Sequence, residues 1–479
     1  MRKPFPRARP TAETLAWPAP CGLARPVDFD HTMIERPFRQ LRLVAPLIGL
    51  SLSAAWGAAA PAPPPAVVAE VEAWLADPST KAPGIAVAAV NRDGIVWSGA
   101  FGLADIRKQK PATTWTRWQF ASVTKVHTTL MLAELAHEGV VDLDAPIARY
   151  VPEFRPRYPE PGSATPTLRQ VATHTAGITN GWGPSTHSYS AEQLMAWAAE
   201  TALSIQPGLQ HKYSNKGYAV LGMVLERATG RNYADLLQGR ILRPFGMTSS
   251  GLTAVPPHPD LATSYQVQNG TLVSRDPSPL FYAQNPASGL VATAEDVARF
   301  VNAHLRGQAG GIPEPVLNLL FSPYFPLGDD QAIGLGWFYK WEDHLPYWYH
   351  VGAWNMFYSR IVIRPDVGVG LAFSTNGPWK RDLIAPLLKI LAADADPGRL
   401  DAVTGDYADE AGLVQKIRRP PGPEMMLEIK DVGRLLPISR HTFRLQEPTG
   451  KHADWIRFIE DNGRMVMLRE TTKLVRQSN

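Results

Sequence analysis

Gln119-Phe120-Ala121-Ser122-Val123-Thr124-Lys125 opens onto apolar residues at helical spacing, Val126, Leu130 and Ala133, and Gly139 stops the pattern after Glu138. The spacing predicts a helix over 122–138 with Ser122 at its N-terminus, where the helix dipole favours developing negative charge. Residues three apart share a helix face, so the amine of Lys125 can reach the hydroxyl of Ser122. A serine hydroxyl is a poor nucleophile until a neighbour takes its proton, and an amine at that distance suits the task.

Two more triplets extend the pattern: Tyr213-Ser214-Asn215, and His350-Val351-Gly352 on an expected strand. Alone, Ser-x-x-Lys fits an ordinary helix face and Tyr-x-Asn an ordinary loop. Their order, separation and context together point to one serine acyl-transfer site.

Around the first triplet, Gly84–Val90, the turn Asn91-Arg92-Asp93-Gly94 and Ile95–Phe101 read as a hairpin opening an antiparallel sheet. A short amphipathic helix is expected over Val67–Ala76, after the stiff linker Pro61–Pro65. The middle, 140–285, is rich in loops, Pro and Gly, with helices expected at Lys216–Ala228 and Asn232–Leu242. Ser288–Ala292 leads to a helix over Glu295–Leu305 capped by Thr293. Strands follow at Phe357–Ile363 and Val369–Phe373, then a last helix, Asp382–Ala393. Beyond Pro397, alternating stretches such as Trp455–Ile459 and Met465–Leu468, parted by Asp461-Asn462-Gly463, predict a small all-β domain over 400–479.

At 479 residues, 45% hydrophobic and 19% charged, the chain reads as globular with two or three domains. Arg36, Arg39 and Arg42 precede an apolar run, Leu43–Ala55, and small residues to Ala60, which reads as a signal peptide over 33–60 and is too short to span a membrane. Residues 1–32 look untranslated or disordered, and Met33 is the expected start. Residues 1–60 hold eight Lys/Arg and four Asp/Glu, a net +4 that equals the net charge of the whole chain. The mature protein is then near neutral, with no basic surface for nucleic acid. Cys21, the only cysteine, lies in the same segment, so thiol catalysis, disulfides and cysteine-ligated metal are excluded. No transmembrane segment is expected in the mature protein, which is placed in the periplasm or outside the cell. There is no Gly-x-Ser-x-Gly elbow, His-Glu-x-x-His zinc motif or phosphate-binding loop, and no cofactor or metal is expected.

The three triplets, with Gln119-Phe120-Ala121, His174-Thr175-Ala176-Gly177, the run Tyr213–Gly230, Pro244-Phe245-Gly246-Met247 and Ser288-Gly289-Leu290-Val291, give the chain a resemblance to the serine β-lactamase and DD-peptidase superfamily, on its class C, esterase and D-amino-acid peptidase branch. The resemblance spans about 66–395, and the hydrolase domain is taken as 66–396. It implies an α+β fold: an antiparallel sheet with helices on both faces beside an all-α subdomain, the catalytic groups between them. It implies Ser122 as nucleophile, Lys125 as its partner and Tyr213 as proton shuttle. Asn215 would orient Lys125 and the substrate, and His350 stands where the lactamases carry the lysine of Lys-Thr-Gly. Gly352 would let the substrate approach the strand, and the backbone N–H groups of Ser122 and Ala353 would form the oxyanion hole.

Lysine and tyrosine are both protonated at pH 7 in water, and the pairing of Lys125 with Tyr213 is expected to share one proton between them. His350 adds a group titrating near neutrality, so carboxylate-bearing substrates are expected to be favoured in mild acid. His174 reads as structural in its loop, and His127 as a helix-face residue. Trp337, Trp341, Tyr347, Trp348, Tyr349 and Trp354 read as packing, with Trp354 at the cleft edge. The expected function is a serine hydrolase forming an acyl-enzyme on a small-molecule or peptide ester, amide or D-amino-acid peptide, with some β-lactam hydrolysis or binding. The alternative is a non-catalytic penicillin-binding or scaffold protein on the same fold. Oligomeric state is not legible.

Overall fold

The computed structural model describes residues 60–158, 165–180, 202–253, 257–275, 284–328, 331–342 and 345–393, together with 193, 196 and, in segments, 404–477. The expected leader over 33–60, apart from Ala60, the segment before it and the Asp396-Pro397-Gly398 boundary lie outside the described residues, as do Asn462 and Gly463.

Among the described residues up to Ala172 lie α1 (Pro65–Ala76), β1 (Gly84–Asn91), β2 (Ile95–Asp105), β3 (Lys110–Pro111), β4 (Trp118–Ala121), α2 (Thr124–His137) and α3 (Leu168–Ala172). The middle holds α4 (Asn215–Thr229), α5 (Tyr233–Leu237), β5 (Gly251–Leu252) and the hairpin β6 (Ser264–Gln268) with β7 (Thr271–Arg275). Then come α6 (Asn285–Ser288), β8 (Leu290–Ala292), α7 (Ala294–Arg306) and α8 (Glu314–Leu320). The sheet is completed by β9 (Phe325–Gly328), β10 (Gln331–Ile333), β11 (Phe338–Glu342), β12 (Leu345–Trp354), β13 (Phe357–Arg364) and β14 (Val369–Thr375), and α9 (Ile384–Ala393) follows.

Among the described residues, nine strands form the main antiparallel sheet, in the order β3-β2-β1-β14-β13-β12-β11-β10-β9. Strand β1 is apolar from Ile85 to Val90 because both faces of the sheet are covered. Its Ala86, Ala88 and Val90 enter the core under α2, α4 and α7, while Ile85, Val87 and Ala89 enter a second core closed by Val67, Val71 and Trp74 of α1 and Leu387 and Leu388 of α9. Helix α4 starts where Ser214 caps Gly217 N and ends at Gly230, which takes φ +68°. Thr293 caps α7 through Asp296 N.

The expected helix over Asn232–Leu242 is instead a short α-helix, α5, continued by a π-helical turn over Gln238–Leu242. Residues 405–476 form a closed barrel of eight strands in sequential order: β15 (Gly405–Ala408), β16 (Val414–Arg418), β17 (Leu427–Ile429), β18 (Gly433–Pro437), β19 (Thr442–Gln446), β20 (His452–Asp461), β21 (Arg464–Arg469) and β22 (Thr472–Arg476). Its interior is filled by Tyr407, Phe443, Ile456, Phe458, Met467 and their neighbours. Among the described residues no helix is long and apolar enough to cross a membrane.

Candidate active site

From Trp118 to Ala133 every residue is buried except Ser122, which is half-buried. It sits in the turn between β4 and α2, one residue before the position that opens the helix, Val123. Lys125, in the first turn of α2, is fully buried. Its Nζ lies 3.2 Å from Ser122 Oγ and donates to Asn215 Oδ1 at 2.7 Å and to the Ala287 carbonyl at 2.8 Å. Among the described residues no carboxylate pairs with it, and burial drives its pKa well below the ordinary lysine range.

Tyr213 and Asn215 arrive on the loop that starts α4. The ring of Tyr213 lies 4.9 Å from Lys125 Nζ, and its hydroxyl hydrogen-bonds with that of Ser122, while burial raises its pKa above the tyrosine range. The two groups therefore shift apart: the amine loses its proton easily and the phenol keeps its own. The expected pairing of Lys125 with Tyr213 thus takes the form of opposite shifts in two adjacent groups.

The Asn215 amide is oriented by Asn180, whose Oδ1 accepts from Asn215 Nδ2 at 3.3 Å and from Asn215 N at 3.2 Å. His174 holds the same loop: its Nδ1 accepts from Ser214 N at 3.1 Å, its ring lies 4.2 Å from that of Tyr213, and its backbone takes φ +57°. Burial, then the neighbouring Lys125, lower its pKa well below the histidine range. His174 is thus a neutral tie beneath Tyr213. His127 is a packing residue inside the core, with its ring stacked 3.8 Å from Phe300.

Strand β12 carries His350, Gly352 and Ala353. His350 is fully buried, with Nδ1 against its neighbour's carbonyl, Val351 O, at 2.7 Å and its ring 5.5 Å from Phe338. Burial, then Lys125, push it down to about 3, so it carries no charge near neutrality. In this buried position it differs from the near-neutral titrating group expected at this place in the sequence. The absence of a side chain at Gly352 serves packing: a Cβ there would stand 2.1 Å from the Phe120 carbonyl and 2.3 Å from Ser359 Oγ. Ala353, next along, is exposed at the strand surface. The N–H of Ser122 donates to no group among the described residues.

Trp337, Tyr347 and Trp348 are buried packing residues, Tyr349 and Trp354 are half-buried, and the side chain of Trp341 lies outside the described residues. Sequence reading missed Asn180 and Ala287, which surround the amine and its amide partner. Neither carries a motif of its own, and both reach the site only through the fold. Among the described residues no group of three His, Cys, Asp or Glu side chains could hold a metal ion. A cavity of about 350 Å³, lined by residues including Arg92, His304, Asn318 and Phe321, lies beside Pro365 in the β13–β14 turn and contains none of these residues.

Residues 66–393 match the family model described as Beta-lactamase. Esterase EstB of Burkholderia gladioli is 30% identical over 290 residues, 53% of this chain and 73% of that protein. Protein flp of Staphylococcus aureus (strain NCTC 8325 / PS 47) is 24% identical over 315 residues, 61% of this chain, and the match spans only 59% of flp's own length. Among solved structures, the octameric penicillin-binding protein homologue from Pyrococcus abyssi superposes with a TM-score of 0.61 at 20% identity, covering 86% of this chain and 99% of that one. A class C β-lactamase does so at 0.59 and 21%, covering 69% and 96%. At these identities the structural likenesses establish the fold.

Proposed function

The chain belongs to the β-lactamase family within the serine hydrolase superfamily, and from that premise we propose that it hydrolyses uncharged acyl substrates, esters foremost, through an acyl-enzyme on Ser122. The observation that carries the reading is the shell of Lys125. A neutral amine has two N–H groups and one lone pair. With Asn215 Oδ1 and the Ala287 carbonyl taking the two protons of the neutral amine, its lone pair is left to face Ser122 Oγ, 3.2 Å from Nζ. Lys125 is then the base, and burial without a carboxylate keeps it in that form.

In this reading Ser122 Oγ attacks the substrate carbonyl carbon as its proton passes to Lys125. The oxyanion develops against the N–H groups of Ser122 and Ala353. The carbon–oxygen bond to the leaving group breaks as Tyr213, still protonated, gives its proton to the departing alkoxide and regains one from the Lys125 ammonium. Water repeats the sequence on the acyl-enzyme.

The preference for uncharged substrates rests on His350, whose neutrality leaves this strand without the cation a carboxylate would need. The 30% identity to an esterase points the same way. The Arg-flanked apolar run of 36–55 supports a periplasmic or secreted location. The test is a panel of p-nitrophenyl esters, a chromogenic cephalosporin and D-amino-acid amides, with mass spectrometry of fluorophosphonate-treated protein. Ester turnover and an adduct on the Ser122 peptide are expected. Ester turnover that survives Ser122→Ala overturns the reading, and the absence of turnover or adduct on any member of the panel would favour a non-catalytic binding protein.

A further inference from the structure

The two carbonyls that precede Ser122 are each held by a buried hydroxyl, one from within the same motif and one from strand β13. Strand β4 pairs with β8 through Gln119 to Val291 and then Ala121 to Leu290, so the ladder skips Phe120. Ala121 takes φ +46°, a left-handed conformation that residues other than glycine disfavour. Such a turn keeps its shape only if its surroundings over-determine it.

Thr124, fully buried, donates through Oγ1 to the Ala121 carbonyl at 2.6 Å and accepts from Leu290 N at 2.9 Å. Ser359, also buried, donates through Oγ to the Phe120 carbonyl at 2.7 Å, and that carbonyl also accepts from Val123 N at 3.1 Å.

The consequence follows from peptide geometry. The Ala121 carbonyl and the Ser122 N–H belong to one planar, trans peptide unit and point in opposite directions. A hydroxyl that fixes the carbonyl therefore aims the N–H. Ser359 controls the other coordinate. It is the cross-strand partner of Gly352, and the Phe120 carbonyl it holds lies in the space a Cβ on Gly352 would occupy. Gly352 and Ala353 share the next peptide unit, so the contact sets the distance between β4 and the N–H of Ala353.

We propose that Thr124 and Ser359 are positioning residues for the acyl-transfer step, Thr124 aiming the Ser122 N–H and Ser359 spacing it from the Ala353 N–H, so that the two donors converge on one oxyanion. This rests on the reading of Ser122 as nucleophile. Both hydroxyls are committed to backbone groups.

The experiment compares Thr124→Val, which keeps the shape and removes the hydroxyl, with Thr124→Ser, which restores it, beside Ser359→Ala and Ser122→Ala. The readouts are kcat and KM on a p-nitrophenyl ester, the Ki of an alkylboronic acid whose tetrahedral adduct places an oxygen between the two N–H groups, and Tm. Loss of a single oxyanion donor costs roughly 10²–10³-fold in kcat, and a misaimed donor should cost less. Thr124→Val and Ser359→Ala should each lower kcat by about 10- to 100-fold with KM changed by no more than about threefold. Boronate affinity should weaken in step with kcat/KM, and Thr124→Ser should restore most of both. Loss of activity that tracks Tm while boronate affinity stays at the wild-type value overturns the proposal, as does full activity in Thr124→Val or Ser359→Ala. If Thr124→Val does not fold, Ser359→Ala, which only removes an atom, decides alone. Activity surviving in Ser122→Ala would instead fault the nucleophile assignment, which separates the two failures.

Discussion

Asn215 Oδ1 accepts a 2.7 Å hydrogen bond from Lys125 Nζ, and Asn180, by accepting from Nδ2 of the same amide, fixes which end of Asn215 meets the amine. The amine thus faces a neutral acceptor where an anion of nearly the same shape could stand. Asn215→Asp supplies that anion. An opposite charge within 4–6 Å raises a lysine pKa by about 1–3 units, so more Lys125 is held as ammonium at neutral pH. The expected result is a fall in ester kcat/KM at pH 7 of about 10- to 10³-fold, recovered in part as pH rises. The alkaline displacement of the rising limb is the diagnostic measurement. A uniform loss at every pH would mean that Asn215 acts on substrate alone.

Buried imidazoles make the fold acid-sensitive. His127 and His350 are pushed down to about 3 and His304 to about 4, and His174 is lowered as well, all chiefly by burial. In the unfolded chain each titrates near 6.5. Between those values the unfolded state binds more protons than the folded one, so stability is complete above about pH 6.5 and is lost as pH falls. Each extra proton taken up on unfolding contributes about 1.4 kcal/mol per pH unit. Calorimetric scans from pH 7.5 to 4.5 should show a steep fall in Tm, and His127→Phe should make it shallower. A flat Tm over that range would show that water or relaxation admits the charge.

What could be read in advance depended on whether the deciding contacts were local. Strand β1 was legible because a run covered on both faces is apolar at every position. The bounds of α4 were legible because Ser214 and Gly230 are its own cap residues. Ser122 and Lys125 were readable as a pair because one helix turn joins them. The state of His350 was not, since its burial comes from the fold around it, Phe338 on the neighbouring strand included. Glycine at 352 suggested room for a substrate, whereas the space is filled by the Phe120 carbonyl from more than two hundred residues away. Closure of the barrel was equally hidden, because Tyr407 pairs with Arg476 across the whole segment.

Neutral, buried His350 reverses one expectation about pH. Carboxylate-bearing and uncharged esters should show the same profile from about pH 5 to 8, with no acid preference for the former, because a histidine held at about 3 does not titrate there. His350→Lys would bury an ammonium beside the Lys125 amine, a cost of several kcal/mol if the charge is kept. A drop in Tm of more than about 5 °C is expected, with loss of activity on both substrates. A stable His350→Lys protein that gains activity on carboxylate substrates would show that this position does open to the cleft.

The barrel of 405–476 should be separable from the hydrolase fold. Its interior residues, Tyr407, Ile417, Phe443, Ile456, Phe458 and Leu474, form a core that contains no residue of the main sheet. The first strand closes on the last through Tyr407–Arg476 and Ala408–Val475, so its edges are satisfied internally. The cores on the two faces of the main sheet are complete by Leu391 of α9. A chain ending at residue 399 should therefore remain soluble and melt cooperatively, with Tm within a few degrees of the full-length value, and keep ester turnover. Residues 400–479 expressed alone should give a β-type circular dichroism spectrum and their own melt, although a barrel of about eighty residues has little stability in reserve. Aggregation of the 66–399 protein, or a gradual melt without a cooperative transition, would mean that the barrel covers apolar surface the hydrolase fold needs. Retained folding with lost turnover would place part of the substrate site on the barrel.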